Sequence, residues 1–237
     1  MAYPGTKVSR TDELEFITQR SWTWAVDAFY GSGGLTKAFL DRHHVKFPIA
    51  GEIFLPLRNL YQSDIDLEEL CYRGLNQIEQ VGEVEFWECV RDSLRSESLK
   101  YTDAESFVIL NNLSHGNGMR HGKRKDGTIA HNLKLADEKL RSLRTRGTFI
   151  NPIALTPKTV YANWRSALMA ASGPESIALL DPPYLNAGAI YPDENPVLCA
   201  CPPVELAMQR GYGAIVAYNS NDLNLDFMLN RIGSKHG

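Results

Sequence analysis

The chemically most informative side chains of this sequence follow an apolar run at residues 176–180. The run, Ser-Ile-Ala-Leu-Leu, is typical of a buried strand, and Asp181, Pro182, Pro183 and Tyr184 come directly after it. Two prolines end a strand because they fix φ and donate no backbone hydrogen bond. The corner would present a carboxylate, proline carbonyls and an aromatic ring where open α/β sheets bind ligands. These groups suit the amino group of an adenine extruded from a nucleic acid, and a plain strand-to-loop corner is the alternative.

A glycine-rich turn far upstream could hold a second reactant. A predicted strand, 23–29, leads into the turn 31–34, and the helical pattern 35–40 follows. Glycines let a backbone approach a nucleotide-like cofactor closely, because side chains at those positions would block it. A second predicted strand, 47–51, ends in Glu52, about 20 positions after the first glycine, as expected of an acid that binds ribose hydroxyls. The alternative is a tight turn of a doubly wound sheet without a ligand.

The order of these motifs resembles that of the D12-class DNA adenine-N6 methyltransferases, the Dam-type enzymes. Five segments match the family's short motifs in the family's order, and they are residues 3–7, 27–34, 52–61, 162–164 and 181–184. The resemblance implies an α/β fold, with a Rossmann-like methyltransferase sheet and an inserted helical and hairpin subdomain for target recognition. It implies S-adenosylmethionine as the cofactor and double-stranded DNA as the partner. The implied reaction is methyl transfer to the N6 of a flipped-out adenine.

The resemblance assigns cofactor binding to residues from all five segments. These residues are Tyr3, Lys7, Phe29, Gly31, Ser32, Gly33, Gly34, Glu52, Asn163, Trp164 and Asp181. Within this set, Lys7 would contact the carboxylate end of the cofactor, Glu52 would hold the ribose hydroxyls, and Trp164 would pack on the adenine. The chain departs from the family at Ala28, where proline is usual, at Thr6, where a second glycine is usual, and at Glu52, where the family has the shorter aspartate.

The resemblance implies that catalysis falls to Asp181, Pro182, Pro183 and Tyr184. The sulfonium of the cofactor is already activated, so the reaction requires neither a metal ion nor a covalent enzyme intermediate. The lone pair of adenine N6 is delocalised into the ring, which makes the nitrogen a poor nucleophile. Acceptors at Asp181 and Pro182 would polarise the N–H bonds of the amino group, so that N6 can attack the methyl group in line. Stacking on Tyr184 would offset part of the cost of unstacking the base, by about 1–3 kcal/mol.

Basic residues are concentrated in one segment, although the net charge of the chain is −3. Nine basic side chains lie between residues 119 and 146, with only three acidic ones among them. An Asp-Gly pair at 126–127 predicts a basic hairpin, which could enter a groove or contact phosphates. The predicted DNA-binding residues are Asn117, Arg120, Lys123, Arg124 and Lys125. The alternative is a solvated basic loop.

Two departures from the family lie just before this hairpin. Residues 107–114 resemble the family's F-x-x-L-N-R segment, but Asn112 stands at the arginine position. Residues 117–120 resemble its N-G-x-x-R segment, but they are one residue shorter. The pairing of Asn117 and Arg120 with particular bases is therefore open.

The predicted layout has a catalytic domain at residues 1–62 and 148–237 and a target-recognition insert at 63–147. Further strands are predicted at 148–155, rejoining the sheet, and at 213–220. The family closes its sheet with one more hairpin, which the few residues after 220 are too short to supply. We therefore expect shortened carboxyl-terminal strands, with a second copy or a partner chain covering the sheet edge.

The composition is that of an ordinary cytoplasmic enzyme, which would associate with the nucleoid when bound to DNA. Hydrophobic residues make up 43% and charged residues 22% of the chain, and no apolar run of about 20 residues predicts a membrane span. Four cysteines form no C-x-x-C pair and six histidines form no H-x-x-x-H pair. We therefore expect reduced thiols and no catalytic metal.

Two other functions stay open. The chain could methylate RNA adenine or a protein glutamine, since flipped adenines look alike once extruded. It could also be a degenerate, non-catalytic DNA-binding subunit of the same fold. The basic hairpin and the aspartate at position 181 disfavour glutamine, and the retained motifs disfavour a subunit without activity.

Overall fold

The chain is an α/β protein built on one five-stranded, all-parallel sheet, as the computed structural model of it shows. The structure describes residues 21–94, 100–115, 121–123, 129–131, 135–150, 159–182 and 201–216. They divide into two compact units. The helical unit comprises the described residues of Phe54–Ala154, and the sheet unit comprises those of Thr6–Ile53 and Leu155–Gly237. The segment 63–147, predicted to recognise the target, lies within the range of the helical unit.

Seven strands and eight helices occur in the described residues. The strands are β1 (Trp22–Asp27), β2 (Val45–Gly51), β3 (His121–Lys123), β4 (Ile129–His131), β5 (Val160–Tyr161), β6 (Ser176–Leu180) and β7 (Gly213–Val216). The helices are α1 (Gly34–Leu40), α2 (Leu55–Tyr61), α3 (Leu67–Val81), α4 (Glu83–Leu94), α5 (Asp103–Leu113), α6 (Asp137–Arg146), α7 (Trp164–Met169) and α8 (Cys201–Gln209). None of these helices is both long and apolar enough to cross a bilayer.

The strand order of the sheet is β5-β2-β1-β6-β7. From β1 the chain moves outward through β2 to β5, and it then crosses to the other side of β1 to form β6 and β7. Val26 of β1 is thus opposite Ile49 of β2 on one side and Ala178 of β6 on the other. The direction of winding reverses between β1 and β6, and open α/β sheets bind ligands at such a switch point, beyond the carboxyl ends of the strands.

Both faces of the sheet are buried, which explains why its central strands are almost continuously apolar. Successive strand residues point to opposite faces. Ala25 and Ile177 pack in one cluster with Leu35, Ala38 and Phe39 of α1. Their neighbours Val26 and Ala178 pack on the opposite face with residues of α7 and α8. The sheet is therefore the middle layer of three, and its loops emerge at the strand ends.

The helical unit is organised around α5. Along this helix Ala104, Phe107, Val108, Ile109, Leu110 and Leu113 are all buried, so the helix is covered on every side. A capping box starts it, because the Thr102 side chain accepts from the Glu105 amide while the Glu105 side chain accepts from the Thr102 amide. Asp66 caps α3 in a similar way by accepting from the first-turn amides of that helix.

The predicted basic hairpin is confirmed as an antiparallel strand pair. His121 of β3 is opposite His131 of β4, and Lys123 is opposite Ile129. The connecting residues 124–128 lie outside the described part of the chain. The pairing places the backbone of Lys123 at the end of β3 that leads into this connection.

The strand predicted at 148–155 is wrong where the structure describes it. Residues 148–150 are not a strand. The Asn112 side chain donates to the Ile150 carbonyl at 2.8 Å and accepts from the Ile150 amide at 2.9 Å, so a side chain takes both backbone groups. The strand that joins the sheet is instead β5, ten residues further along and only two residues long. The predicted strand 213–220 is confirmed at Gly213–Val216, and residues from 217 onward, with the expected shortened carboxyl end, lie outside the described residues.

Candidate active site

Polar residues end or follow four adjacent strands of the sheet. Asp27 is the last residue of β1, Glu52 follows β2, Asn163 follows β5 and Asp181 follows β6. These strands are neighbours in the order β5-β2-β1-β6, and their carboxyl ends share one edge because all are parallel. The sheet therefore brings residues that are far apart in sequence to the edge that contains the switch point.

The glycine turn begins directly after β1 and has the backbone that its sequence requires. Gly31 and Gly33 have positive φ angles of 50° and 71°, which glycine adopts without steric cost. The Gly33 amide donates to the Tyr30 carbonyl at 2.7 Å, which closes the turn, and the Gly33 carbonyl accepts from the Lys37 amide at 2.8 Å, which starts α1. The predicted turn 31–34 and the helix after it are confirmed, with Gly34 as the first helical residue.

Tyr30 provides a further reason for the glycine at position 33. A Cβ atom on Gly33 would lie 2.5 Å from the Tyr30 Oη and 2.6 Å from its Cζ, far inside contact distance. Tyr30 is only 3% exposed. Burial raises the pKa of its hydroxyl, and the nearby charge of Asp27 raises that pKa further. One of the turn's glycines is thus needed for internal packing, whatever else the turn binds.

Glu52 is bonded directly to the glycine turn. Its Oε2 accepts from the Gly31 amide at 3.0 Å, and its own amide donates to the Tyr161 carbonyl at 2.9 Å. The residue is 7% exposed. Gly51, just before it, lies against the Ala28 carbonyl so closely that a Cβ would be 2.7 Å from that oxygen. Glu52 therefore fixes the turn against β2, and a carboxylate has enough lone pairs to accept from a ligand hydroxyl as well.

Asp27 begins the segment 27–34 that resembles the family's glycine motif, but it was not among the predicted site residues. It is 1% exposed, its Oδ2 accepts from the Thr36 hydroxyl at 2.7 Å, and its Oδ1 accepts from the Phe29 amide at 3.2 Å. Burial raises the pKa of Asp27 to about 7, and the charge of Asp181 raises it too, while the bonds from Thr36 and Phe29 lower it. An acid at the end of an otherwise apolar central strand was the signal that could have identified it.

Asp181 and Pro182 occupy the predicted corner after β6. Asp181 is half-buried and Pro182 is buried. Residues Asp27 and Asp181 interact electrostatically, so the two central strands bring two carboxyl groups near each other. The rest of the predicted catalytic group, Pro183 and Tyr184, lies outside the described residues.

Two of the three aromatic residues predicted to contact the cofactor, Phe29 and Trp164, flank the same strands. Phe29 and Trp164 are half-buried, and both pack against the buried cluster that α7 and α8 form on the sheet. The Arg165 guanidinium lies 5.2 Å from the Trp164 ring centroid. Asn163 caps α7, because its Oδ1 accepts from the Ser166 amide at 2.8 Å. Its side chain thus has a structural role at the start of α7.

The remaining predicted site residues cannot be located in the described part of the chain. They are Tyr3, Lys7, Asn117, Arg120, Arg124 and Lys125. For Lys123, the structure describes the backbone but not the side chain. Among the described residues, no group of three or more histidine, cysteine, aspartate or glutamate side chains could hold a metal ion.

The site thus combines a glycine turn, a buried acid behind it, an acid bonded to it and a carboxylate-proline corner, all at one edge of a parallel sheet. Such an edge can hold a nucleotide-like ligand and orient an amino group beside it. Comparison of the sequence with models of protein families gives no match, and comparison with curated proteins gives no significant relative.

Proposed function

We propose that this chain is a DNA adenine-N6 methyltransferase that uses S-adenosylmethionine. The observation that carries the proposal is the convergence at the switch point of three motifs that resemble the Dam-type motifs. The glycine turn follows β1, Glu52 follows β2 and bonds to the turn, and Asp181 follows β6 on the other side of β1. The sequence order and the strand order are independent observations, and both fit one binding edge.

The residues present suit this cofactor. The charge of Asp181, joined by that of Asp27 when Asp27 is ionised, gives the switch point a negative potential, which favours a sulfonium cation. Half-buried rings at Phe29 and Trp164 offer apolar surface for the adenosine, and Glu52 is an acceptor for ribose hydroxyls. S-adenosylmethionine would supply an activated methyl group there.

The catalytic contribution of the chain is orientation. Asp181 and the carbonyl of Pro182 would accept from the amino group of the target adenine and align its nitrogen with the methyl group. The loss of one such preorganised hydrogen bond typically lowers a rate by about 10²–10³-fold. The rigid β6–proline corner suits this role, since its position is fixed by a fully buried strand.

The helical unit offers basic surface for the DNA backbone. Arg141, Arg144 and Arg146 are exposed on α6, and β3 ends in Lys123. Glu83 neutralises one of them, because it forms an ion pair with Arg144 at 2.9 Å. Arginine and lysine side chains on phosphates provide sequence-independent affinity, which falls steeply with salt. DNA binding by this unit should therefore weaken as the salt concentration rises.

The test is label transfer from tritiated S-adenosylmethionine to unmethylated genomic DNA, followed by nucleoside analysis. The wild-type chain should form N6-methyladenine, and Asp181→Asn should lower the rate by about 10²-fold or more, since an amide is a weaker acceptor. Asp41→Asn is the matched control, because Asp41 is an exposed residue that pairs with Lys37 at 2.8 Å. It should leave the rate unchanged.

Parallel reactions with RNA and with protein distinguish the alternatives. Label in RNA or in glutamine, without label in DNA, would show that the substrate is RNA or protein and not DNA. Cofactor binding without label in any substrate would indicate a non-catalytic subunit. The absence of cofactor binding would overturn the proposed function.

A further inference from the structure

Asp27 is a buried acid, and none of the described groups that act on it carries a positive charge. Both of its oxygens accept hydrogen bonds, from the Phe29 amide and from the Thr36 hydroxyl, and the Thr36 amide also acts on the carboxyl group; all of these donors are neutral. Among the described residues, the charged group recorded as acting on it is another carboxyl group, that of Asp181. A buried carboxylate without a cation nearby is unfavourable, so its ionisation depends on what else enters the site.

The surroundings of Asp27 are defined on each side. Its neighbour on the β2 side is Ala50 and on the β6 side Leu179, neither of which titrates. On α1 it accepts a hydrogen bond from the hydroxyl of Thr36. In the turn, the titratable residue that interacts electrostatically with it is Tyr30. Asp181 lies just beyond the end of β6. The Phe29 amide that Asp27 binds belongs to the stretch between β1 and the glycines, so Asp27 lies directly behind the proposed cofactor turn.

We propose that Asp27 senses the charge of the bound cofactor and makes the site prefer the sulfonium substrate to the neutral thioether product. The proposal rests on the proposed function. When the cation binds, the Asp27 carboxyl group ionises and its proton passes to the solvent. When the neutral product binds, Asp27 keeps its resting protonation. Asp27 is thus a residue that determines specificity through charge, without contact with the reacting atoms.

The size of the effect follows from the resting ionisation of Asp27. Its pKa of about 7 leaves the carboxyl group mostly protonated at pH 6 and mostly ionised at pH 8. A cation that binds only the ionised form would gain affinity in proportion to the ionised fraction, which rises about tenfold over this range. The affinity of a neutral ligand would stay flat. The ratio of the two affinities should therefore increase about tenfold from pH 6 to pH 8.

The experiment is titration calorimetry of the whole chain with S-adenosylmethionine and with S-adenosylhomocysteine between pH 6 and pH 8. Each titration is repeated in two buffers with different ionisation heats, which counts the protons released. The wild type should release about half a proton at pH 7 with the sulfonium ligand, beyond any release with the thioether. Both ligands carry an α-amino group that titrates near pH 8, so the comparison between the two ligands controls for that group, and a variant at position 27 provides a second control.

Asp27→Asn is that variant, because an amide can still accept from the Phe29 amide and donate to the Thr36 hydroxyl. The affinity ratio should become independent of pH in this variant, while the Asp41→Asn control should behave like the wild type. If the variant does not fold, the pH series and proton count of the wild type decide alone.

The outcomes separate the two proposals. If the wild type binds both ligands with a ratio that does not change with pH, or if Asp27→Asn retains the wild-type dependence, the charge-sensing role is overturned and the cofactor assignment stands. If the wild type binds neither ligand, the proposed function itself fails, and the charge-sensing role fails with it.

Discussion

Asp27 also predicts how the stability of this protein depends on pH, independently of any ligand. Its pKa is about 7 in the folded chain against an ordinary value of 3.8. Between these values the folded state holds a proton that the unfolded state has released. The free energy of unfolding therefore falls as pH rises through this window, and the loss is nearly complete by about pH 8, where Asp27 is mostly ionised in both states.

The magnitude follows from the size of the shift. A difference of roughly three pKa units, at about 1.4 kcal/mol each, corresponds to about 4 kcal/mol of unfolding free energy. Asp27→Asn removes the buried charge and keeps groups that can replace both hydrogen bonds. The variant should thus be more stable than the wild type at pH 8 by up to about 4 kcal/mol, and the advantage should disappear toward pH 4.

Urea unfolding followed by far-ultraviolet circular dichroism at pH 4 to 8 would measure this difference. With an m-value of about 2–3 kcal/mol per molar, the midpoint of the variant should exceed that of the wild type by more than about 1 M urea at pH 8. Asp41→Asn, the exposed control, should change the unfolding free energy by less than about 0.5 kcal/mol at every pH. Parallel curves for the wild type and Asp27→Asn would refute the reasoning.

Two further predictions concern backbone geometry. Gly33→Ala and Gly147→Ala impose almost the same left-handed strain, since φ is 71° and 70°, and each should cost about 1–2 kcal/mol of unfolding free energy. Only Gly33→Ala also forces the Tyr30 ring to move, so this variant should lose about 1–3 kcal/mol more unfolding free energy than Gly147→Ala. Equal losses of unfolding free energy in chemical denaturation would contradict this packing. Asn112→Ala should destabilise by about 1–2 kcal/mol and speed hydrogen exchange at the Ile150 amide; unchanged exchange there would argue against the side-chain clamp.

Local patterns predicted the elements around the switch point well. The apolar run at 176–180 is a strand over the same residues. Five apolar residues that end before two prolines are too few for a typical buried helix, and a strand can bury all of them. The glycines at 31 and 33 have the positive φ angles that their residue type permits, and Glu52 directly follows the next strand, as its spacing suggested. Parallel pairing then brings these ends together without further sequence information.

The features that were missed depend on contacts distant in sequence. The Thr148–Ile150 segment has the composition of a strand, but Asn112, 38 positions earlier than Ile150, takes its backbone groups. The strand β5 has only two residues, too few to give an alternating pattern. The importance of Asp27 arises from burial by α1 and from the charge of Asp181, neither of which is visible in the residues next to it.

The pairing of β1 with β6 has a consequence for how the chain folds. Thr23, in the first strand, contacts Glu175, just before β6, across 152 positions, and the helical unit is inserted between them. Closing so long a loop costs conformational entropy before any contact between the strands forms. The pairing of β1 with β6 should therefore form late and slowly. During synthesis, the ribosome must deliver residues through Asp181 before the edge can assemble. Until then, β1 has no partner on its β6 side, and this unpaired strand edge is open to association with other chains.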